Sequence, residues 1–155
     1  MEYAEAGSLY NHLRKLKTNN TAIPPKLLVQ WSLDIAEGMR HMGEMSPPVL
    51  HRDLKSQVTL LLFLCSFFNL FKKKKKKITK NILIGKDNTL KISDFGVARH
   101  VRSMNASNRS AVGTFAWLAP ETIREHHYSA KSDVWSYGAC VQYFSCLRLF
   151  WFDEK

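Results

Sequence analysis

Apolar residues recur at every third or fourth position between residues 27 and 42, and this spacing predicts a helix with one buried face. The positions concerned are Leu27, Leu28, Trp31, Ile35, Met39 and Met42. Pro24 and Pro25 come just before this stretch, and proline is tolerated in the first turn of a helix. We therefore predict a long helix that begins near Pro25 and buries Trp31 in the core.

Shorter patterns on either side of this helix predict two further elements. Gly7 and Ser8 precede a run of mixed apolar and polar residues, which is typical of a capped helix start. Residues 82–84 and 90–92 are short β-type runs, and four of the five residues between them, Gly85 to Asn88, have turn chemistry. These runs predict a small β-hairpin.

The composition suits one domain with a buried core, since 45% of the 155 residues are apolar. The formal net charge is +10, but residues 58–80 contain seven lysines and no acidic residue, so only +3 remains without that segment. A charge that is confined to one segment does not indicate a nucleic-acid-binding surface. We therefore expect no nucleic-acid partner.

The three cysteines, Cys65, Cys140 and Cys146, have neither the spacing of a metal site nor the number that a disulfide framework needs. The N-terminus has no charged region followed by a cleavage site, as a signal peptide would. Both observations favour a reducing, cytoplasmic location.

Four short motifs follow one another along the chain in a set order. They are His51-Arg52-Asp53-Leu54-Lys55, Asn81-Ile82-Leu83-Ile84, Asp94-Phe95-Gly96 and Ala119-Pro120-Glu121. One such motif is weak evidence, but the ordered set resembles the catalytic signature of protein kinases. The resemblance covers residues 1–138 apart from residues 58–80, and residues 139–155 form a divergent tail.

The phrase from Ser110 to Glu121, taken with residues 51–56, is most similar to the mixed-lineage kinases, which are MAP kinase kinase kinases. The resemblance implies an α+β fold, the C-lobe of a kinase domain, which is mainly helical with a small hairpin. It also implies ATP-dependent phosphoryl transfer to Ser or Thr of a protein, which we expect to be another kinase. Lys55 and Thr114 resemble the residues of the Ser/Thr-specific branch.

The resemblance assigns the chemistry to four residues. Asp53 would be the base that accepts the proton of the substrate hydroxyl, and Lys55 would neutralise the transferring phosphoryl group. Asn81 and Asp94 would bind Mg²⁺, which prefers a few oxygen ligands together with nucleotide phosphates. ATP and Mg²⁺ are therefore the expected cofactors.

The resemblance also assigns the adenine site. Met1 would occupy the gatekeeper position, the backbone of Glu2 and Ala4 would bind the adenine edge, and Leu83 would lie beneath the ring. The printed residues contain no Gly-rich phosphate loop and no ATP-anchoring lysine on a preceding strand. We therefore expect an inactive fragment without the N-lobe. A non-catalytic, pseudokinase-like fragment that binds a partner is the alternative.

Residues 97–114 match the activation segment. Ser107 and Ser110 are the better candidates for phosphorylation, because a phosphate there would be within reach of the Arg52 guanidinium. A solvated loop whose serines are never modified is the alternative interpretation.

The remaining motif residues have structural roles in the family. His51 would support the catalytic segment, and Asp133 would hold its backbone. Phe95 would pack on the regulatory side of the site, and Gly96 would give the backbone freedom to flip. Glu121 normally pairs with an arginine far downstream.

Residues 58–80 interrupt the catalytic motif. The family has asparagine five residues after the catalytic aspartate, where this chain has Val58, and deletion of residues 58–80 brings Asn81 to that place. Every valine codon begins with GT and one lysine codon ends in AG, so the segment can begin and end as introns do. We interpret it as translated intron sequence or an error of the gene model, and we expect it to displace Asn81 from Asp53 or to block the cleft.

A membrane role is the other interpretation of this insert. Residues 58–71 are uncharged, but a membrane-spanning helix needs about 20 apolar residues. An apolar run beside a lysine run also suits an anchor on an anionic membrane surface. We expect no membrane partner unless residues 58–77 are a genuine part of the protein.

The intron interpretation predicts that the spliced message lacks the 23 codons of residues 58–80. Sequencing of full-length transcripts measures this directly. A spliced message that contains those codons in frame would contradict the interpretation.

Overall fold

The computed structural model describes residues 7–55, 81–100, 113 and 115–151. The helices are α1 (Leu9–Thr18), α2 (Pro25–Glu44), α3 (Pro120–Glu125) and α4 (Ala130–Trp151). The strands are β1 (Val49–Leu50), β2 (Ile82–Ile84), β3 (Leu90–Ile92) and β4 (Arg99–His100), and 3-10 turns cover Phe95–Val97 and Phe115–Trp117. None of the helices described is both long and apolar enough to cross a membrane.

Several sequence predictions lie outside the described residues. They concern Met1, Glu2 and Ala4, the insert at residues 58–80, the activation-segment residues Ser107, Ser110 and Thr114, and the last four residues of the tail.

The two helices that precede the catalytic motif begin where the sequence predicts. The Ser8 hydroxyl accepts a hydrogen bond from the backbone N–H of Asn11 (3.3 Å), which satisfies one of the free donors in the first turn of α1. Helix α2 begins at Pro25, where the missing N–H of proline costs nothing. Its predicted apolar face is turned inward, with Trp31 and Ile35 fully buried.

The predicted hairpin consists of β2 and β3, which pair antiparallel with Ile82 opposite Ile92 and Ile84 opposite Leu90. The Ile84 N–H donates to the Gly7 carbonyl (2.9 Å), so the segment before α1 lies along the other edge of β2. A second pairing, β1 with β4, was not predicted from the sequence. It joins the chain before the catalytic motif to residues at the start of the activation segment.

One apolar core joins α1, α2, the hairpin and α4. Its fully buried members come from all four parts of the chain: Leu13, Trp31, Ile35, Ile84, Cys140 and Phe144. The Trp31 ring lies 6.0 Å from the Phe144 ring, so α2 and α4 pack directly on each other. The catalytic motif, residues 51–55, lies against this core, because Leu54 is one of the buried members of the core.

Helix α4 begins with a reciprocal cap. The Ser129 N–H donates to the Ser132 hydroxyl (2.9 Å), and the Ser132 N–H donates to the Ser129 hydroxyl (3.3 Å). This arrangement satisfies two backbone donors at the helix start. The helix then continues without a break through Trp151, so residues 139–151 of the divergent tail belong to it.

Ile35→Ala tests the core. Ile35 is 0% exposed, so loss of its side chain leaves a cavity, and we expect the free energy of unfolding to fall by about 2–5 kcal/mol. Leu33→Ala is the matched control, because Leu33 lies on the same helix but is 57% exposed, and we expect it to change stability by at most about 0.5 kcal/mol. Denaturant unfolding measures both. Equal losses in the two variants would contradict this packing.

Candidate active site

The catalytic motif is held in place by one carboxylate. Asp133, in the first turn of α4, accepts the backbone N–H of His51 at Oδ2 (2.7 Å) and that of Arg52 at Oδ1 (2.9 Å). Burial raises the pKa of the Asp133 carboxyl above its ordinary value, although the two N–H donors act in the opposite direction. Asp133, which is far from the motif in the sequence, thus holds the backbone of the motif in place.

His51 links this segment to the Asp94 motif. Its Nδ1 accepts the Asp53 N–H (3.4 Å), so its Nε2 carries the proton and donates to the Ser93 carbonyl (3.0 Å). The His51 ring is fully buried, and it meets the ring of Phe95 edge-on at 5.1 Å. Ser93, the residue just before Asp94, is therefore hydrogen-bonded to the catalytic segment.

Three predicted site residues meet at the Asp53 carboxylate. The Lys55 ammonium lies 2.5 Å from Asp53 Oδ2, and the Asn81 amide nitrogen donates to the same oxygen (3.0 Å) and to the Asp53 carbonyl (2.7 Å). The side chain of Lys55 is 5% exposed and that of Asp53 is 13% exposed. Little water screens this ion pair, so its charges act at close range on any group placed beside them.

The expected displacement of Asn81 from Asp53 is wrong, because the two side chains are in contact. The other expectation, that the insert blocks the cleft, concerns residues outside the described ones. Asn81 uses its amide nitrogen for both bonds to Asp53, which leaves Oδ1 facing elsewhere. Oδ1 is buried and has no hydrogen-bond partner among the described residues. A buried acceptor without a donor is unfavourable, and an oxygen-binding cation would satisfy it.

Asp94 stands at the end of β3, beside Asn81. The Ser93 N–H donates to the Asn81 carbonyl (2.8 Å), so Asp94 is one residue beyond this backbone pair. Asp94 is exposed and has a left-handed backbone, with φ of 63°. A Cβ at Gly96 would lie 3.2 Å from Asp94 Oδ1, so a larger residue there would crowd the carboxylate.

The described residues hold no group of three or more His, Cys, Asp or Glu side chains that could bind a metal by themselves. A site made of one amide and one carboxylate is nevertheless suited to Mg²⁺, which takes few protein ligands and completes its shell with phosphates and water. The orphaned Asn81 Oδ1 and the exposed Asp94 carboxylate fit this donor set.

Arg52 is buried beside the site in an unusual setting. It is 9% exposed, has φ of 68°, and its guanidinium lies 4.4 Å from the centre of the Tyr128 ring. Its Nε has no hydrogen-bond partner among the described residues. Sequence reasoning missed Tyr128, because nothing in its sequence neighbourhood distinguishes it from an ordinary core tyrosine.

Gly113 is a second residue that sequence reasoning did not assign to the site. Its φ is 111°, and a Cβ there would lie 2.7 Å from the Arg52 carbonyl and 2.8 Å from Leu118. Only glycine allows this approach of the chain to the catalytic segment. Its place directly before Thr114, within the kinase-like phrase from Ser110 to Glu121, was the available signal.

The other predicted residues lie around this centre. Leu83 is half-buried in β2, where it forms a bridge with Ser8. Phe95 is partly exposed and lines an apolar cavity of about 310 Å³ with Met42 and Met45. Glu121 makes no ion pair with another described residue.

Comparison with known families agrees with this geometry. The family model described as "Protein kinase domain" matches residues 77–155, and the one described as "Protein tyrosine and serine/threonine kinase" matches residues 1–63. Residues 64–76 lie in neither match, and they fall within the segment that we interpret as an insert.

Individual relatives are similar over most of the chain. Mitogen-activated protein kinase kinase kinase 10 of Mus musculus is 39% identical over 91% of this chain, and a mitogen-activated protein kinase kinase kinase of Drosophila melanogaster is 42% identical over 91%. The serine/threonine-protein kinase CTR1 of Arabidopsis thaliana is 32% identical over 97%. The chain spans only 13%, 10% and 15% of the lengths of these relatives.

Asp53 and Lys55 of one motif and Asn81 of the next meet in one place, and the two family matches together cover most of the sequence. The chain therefore belongs to the protein kinase family.

Proposed function

We propose that this chain is part of a protein serine/threonine kinase, which transfers the γ-phosphoryl group of ATP to a Ser or Thr hydroxyl of a protein. The observation that carries the proposal is the Asp53 carboxylate, which is hydrogen-bonded to both Lys55 and the Asn81 amide, while Asn81 Oδ1 has no partner among the residues that the structure describes. This arrangement places the proposed base, Asp53, in direct contact with a cation, Lys55, and with a proposed metal ligand, Asn81.

Each residue of this centre has a distinct task. Asp53 accepts the proton of the substrate hydroxyl and orients it toward the phosphorus atom. The Lys55 ammonium places positive charge beside the phosphoryl oxygens, where negative charge collects during transfer. Asn81 Oδ1 and the Asp94 carboxylate would hold Mg²⁺, which when bound neutralises charge on the nucleotide phosphates.

The nucleotide would lie against β2. Leu83 points to the face of the hairpin opposite its buried neighbours Ile82 and Ile84, and this half-buried surface suits the floor of an adenine site. Met1, Glu2 and Ala4 would complete the adenine contacts. The Gly7 carbonyl bonds to Ile84, so the chain that precedes α1 runs beside this strand.

Arg52 supports the further proposal that Ser107 or Ser110 is a phosphorylation site. The Nε of its buried guanidinium has no hydrogen-bond partner in the described part of the chain, and a phosphate on Ser107 or Ser110 of the activation segment would provide acceptors for it. Thr114 would contribute to the choice of Ser or Thr substrates.

The expected partner is a protein substrate, and a downstream kinase is the best candidate because the similar relatives carry the name mitogen-activated protein kinase kinase kinase. A cytoplasmic location belongs to the same proposal, since the three cysteines show no disulfide framework. Neither a nucleic acid nor a membrane is proposed as a partner.

Asp53→Asn tests the proposed chemistry. The amide cannot take the hydroxyl proton, so we expect the rate of phosphoryl transfer by the longest spliced product of the gene to fall by about 10²- to 10⁴-fold. Transfer of labelled phosphate from ATP to protein measures the rate. Asp87→Asn is the matched control, because Asp87 is an exposed residue of the hairpin turn and its variant should keep the full rate. An unchanged rate in Asp53→Asn would favour the non-catalytic alternative.

A second test concerns the 155 residues by themselves. They contain the base and the metal ligands but no Gly-rich phosphate loop, so we expect no measurable Mg²⁺-dependent phosphoryl transfer by this chain. The same labelled-phosphate assay applies. Transfer that Asp53→Asn abolishes would contradict the expectation.

A further inference from the structure

One face of α2 meets alternate residues of the segment that contains β3. The α2 residues are Trp31, Asp34 and Gly38, and their partners are Asn88, Leu90 and Ile92. The spacing of three to four on the helix and of two on the strand places each residue beside its partner. The Trp31 indole N–H donates to the Asn88 carbonyl (2.8 Å), and a Cβ at Gly38 would lie 2.9 Å from Ile92.

Asp34 satisfies a backbone donor that the hairpin itself leaves free. In β2 the Ile84 N–H donates to Gly7, so the facing Ile84–Leu90 pair does not exchange hydrogen bonds and the Leu90 N–H points away from β2. Asp34 Oδ2 accepts this N–H (2.8 Å), and its other oxygen accepts the Gln30 amide (2.8 Å). Without Asp34 the Leu90 donor would have no acceptor on α2.

The hairpin carries both proposed metal ligands at its other end. Asn81 immediately precedes β2 and Asp94 follows β3 by two residues. At this end the Ser93 N–H donates to Asn81, and the Ser93 carbonyl accepts from His51. The hairpin is therefore held at two points, by α2 near its turn and by the catalytic segment at its open end.

Helix α2 holds the hairpin and also leads, through a short linker, into β1 and the Asp53 segment. Helix α2 thus connects the hairpin that carries Asn81 to the segment that carries Asp53. We propose that Asp34 is a positioning residue that, with Trp31, holds the hairpin on α2 and thereby keeps the Asn81 amide against Asp53. The link between this positioning role and catalysis rests on the proposed function.

Hydrogen exchange in the 155-residue chain, followed by NMR, tests the role of Asp34. In Asp34→Ala we expect the exchange rates of the Leu90 and Ser93 amides to rise by about tenfold relative to the Ile123 amide, because a charge-assisted hydrogen bond is lost. The Ile123 amide is the internal reference, since it bonds to Ala119 in α3, away from the hairpin (3.0 Å).

Three further variants complete this test. Asp34→Asn keeps an oxygen that can accept the Leu90 N–H, so we expect it to restore slow exchange to within about twofold of wild type. Glu37→Ala is the matched control, because Glu37 is an exposed acid of α2 that pairs only with Arg40 of the same helix among the described residues, and it should change neither amide. If Asp34→Ala does not fold, Trp31→Phe replaces it and should raise exchange at Ser93 several-fold by loss of the indole donor.

The outcomes separate positioning from local capping. Faster exchange at Leu90 alone would overturn the proposal, because Asp34 would then act only on its own partner. An equal rise at Ile123 would also overturn it, because the effect would then be general destabilisation. Faster exchange at both Leu90 and Ser93, with recovery in Asp34→Asn, supports it.

A metal probe distinguishes this inference from the proposed function. Mn²⁺ shares the oxygen preference of Mg²⁺ and broadens the NMR signals of nearby atoms. Broadening of the Asn81 and Asp94 signals in wild type supports the metal site, and weaker broadening in Asp34→Ala but not in Glu37→Ala supports the positioning role. No broadening in wild type would refute the metal site, whereas the exchange rates would still decide the role of Asp34.

Discussion

The Asp133 carboxylate is the interaction on which the rest of the site depends. It binds two successive backbone N–H groups, at His51 and Arg52, and so orients the whole catalytic segment. Arg52 has a left-handed backbone, which is unfavourable for a residue with a side chain and persists only where its surroundings require it. The carboxylate also carries the cost of burial, as its raised pKa indicates. Through this contact, the position of α4 constrains the position of Asp53.

A second constraint acts from the opposite side of the core. Helix α2 packs on α4 through Trp31 and Phe144, and it also binds the hairpin through Trp31 and Asp34. Asp53 and Asn81 therefore reach the same place by two routes, one through α4 and the other through α2 and the hairpin. Because both routes start from one packed core, the Asp53–Asn81 contact is formed although 28 positions separate the two residues in the sequence.

Much of this could be predicted from the chain itself. The apolar spacing of α2, the Ser8 cap and the turn chemistry at residues 85–88 are local signals, and the structure has a helix, a capped start and a hairpin at those places. The kinase motifs named Asp53, Lys55 and Asn81, which the structure brings together. Tyr128, Gly113 and the β1–β4 pairing were not predicted, because each depends on a contact between segments that are far apart in the sequence.

By itself, the sequence determined which side chains are available for chemistry and which short segments form helices, turns and strands, because those properties depend on neighbours a few residues away. Only the tertiary structure decided that residues 58–80 do not keep Asn81 from Asp53, and that Asp34 satisfies the outward N–H of Leu90. The reason is physical: a donor or acceptor buried by folding must find its partner among whatever the packed core brings beside it. That partner is set by three-dimensional packing and is not encoded in any local pattern.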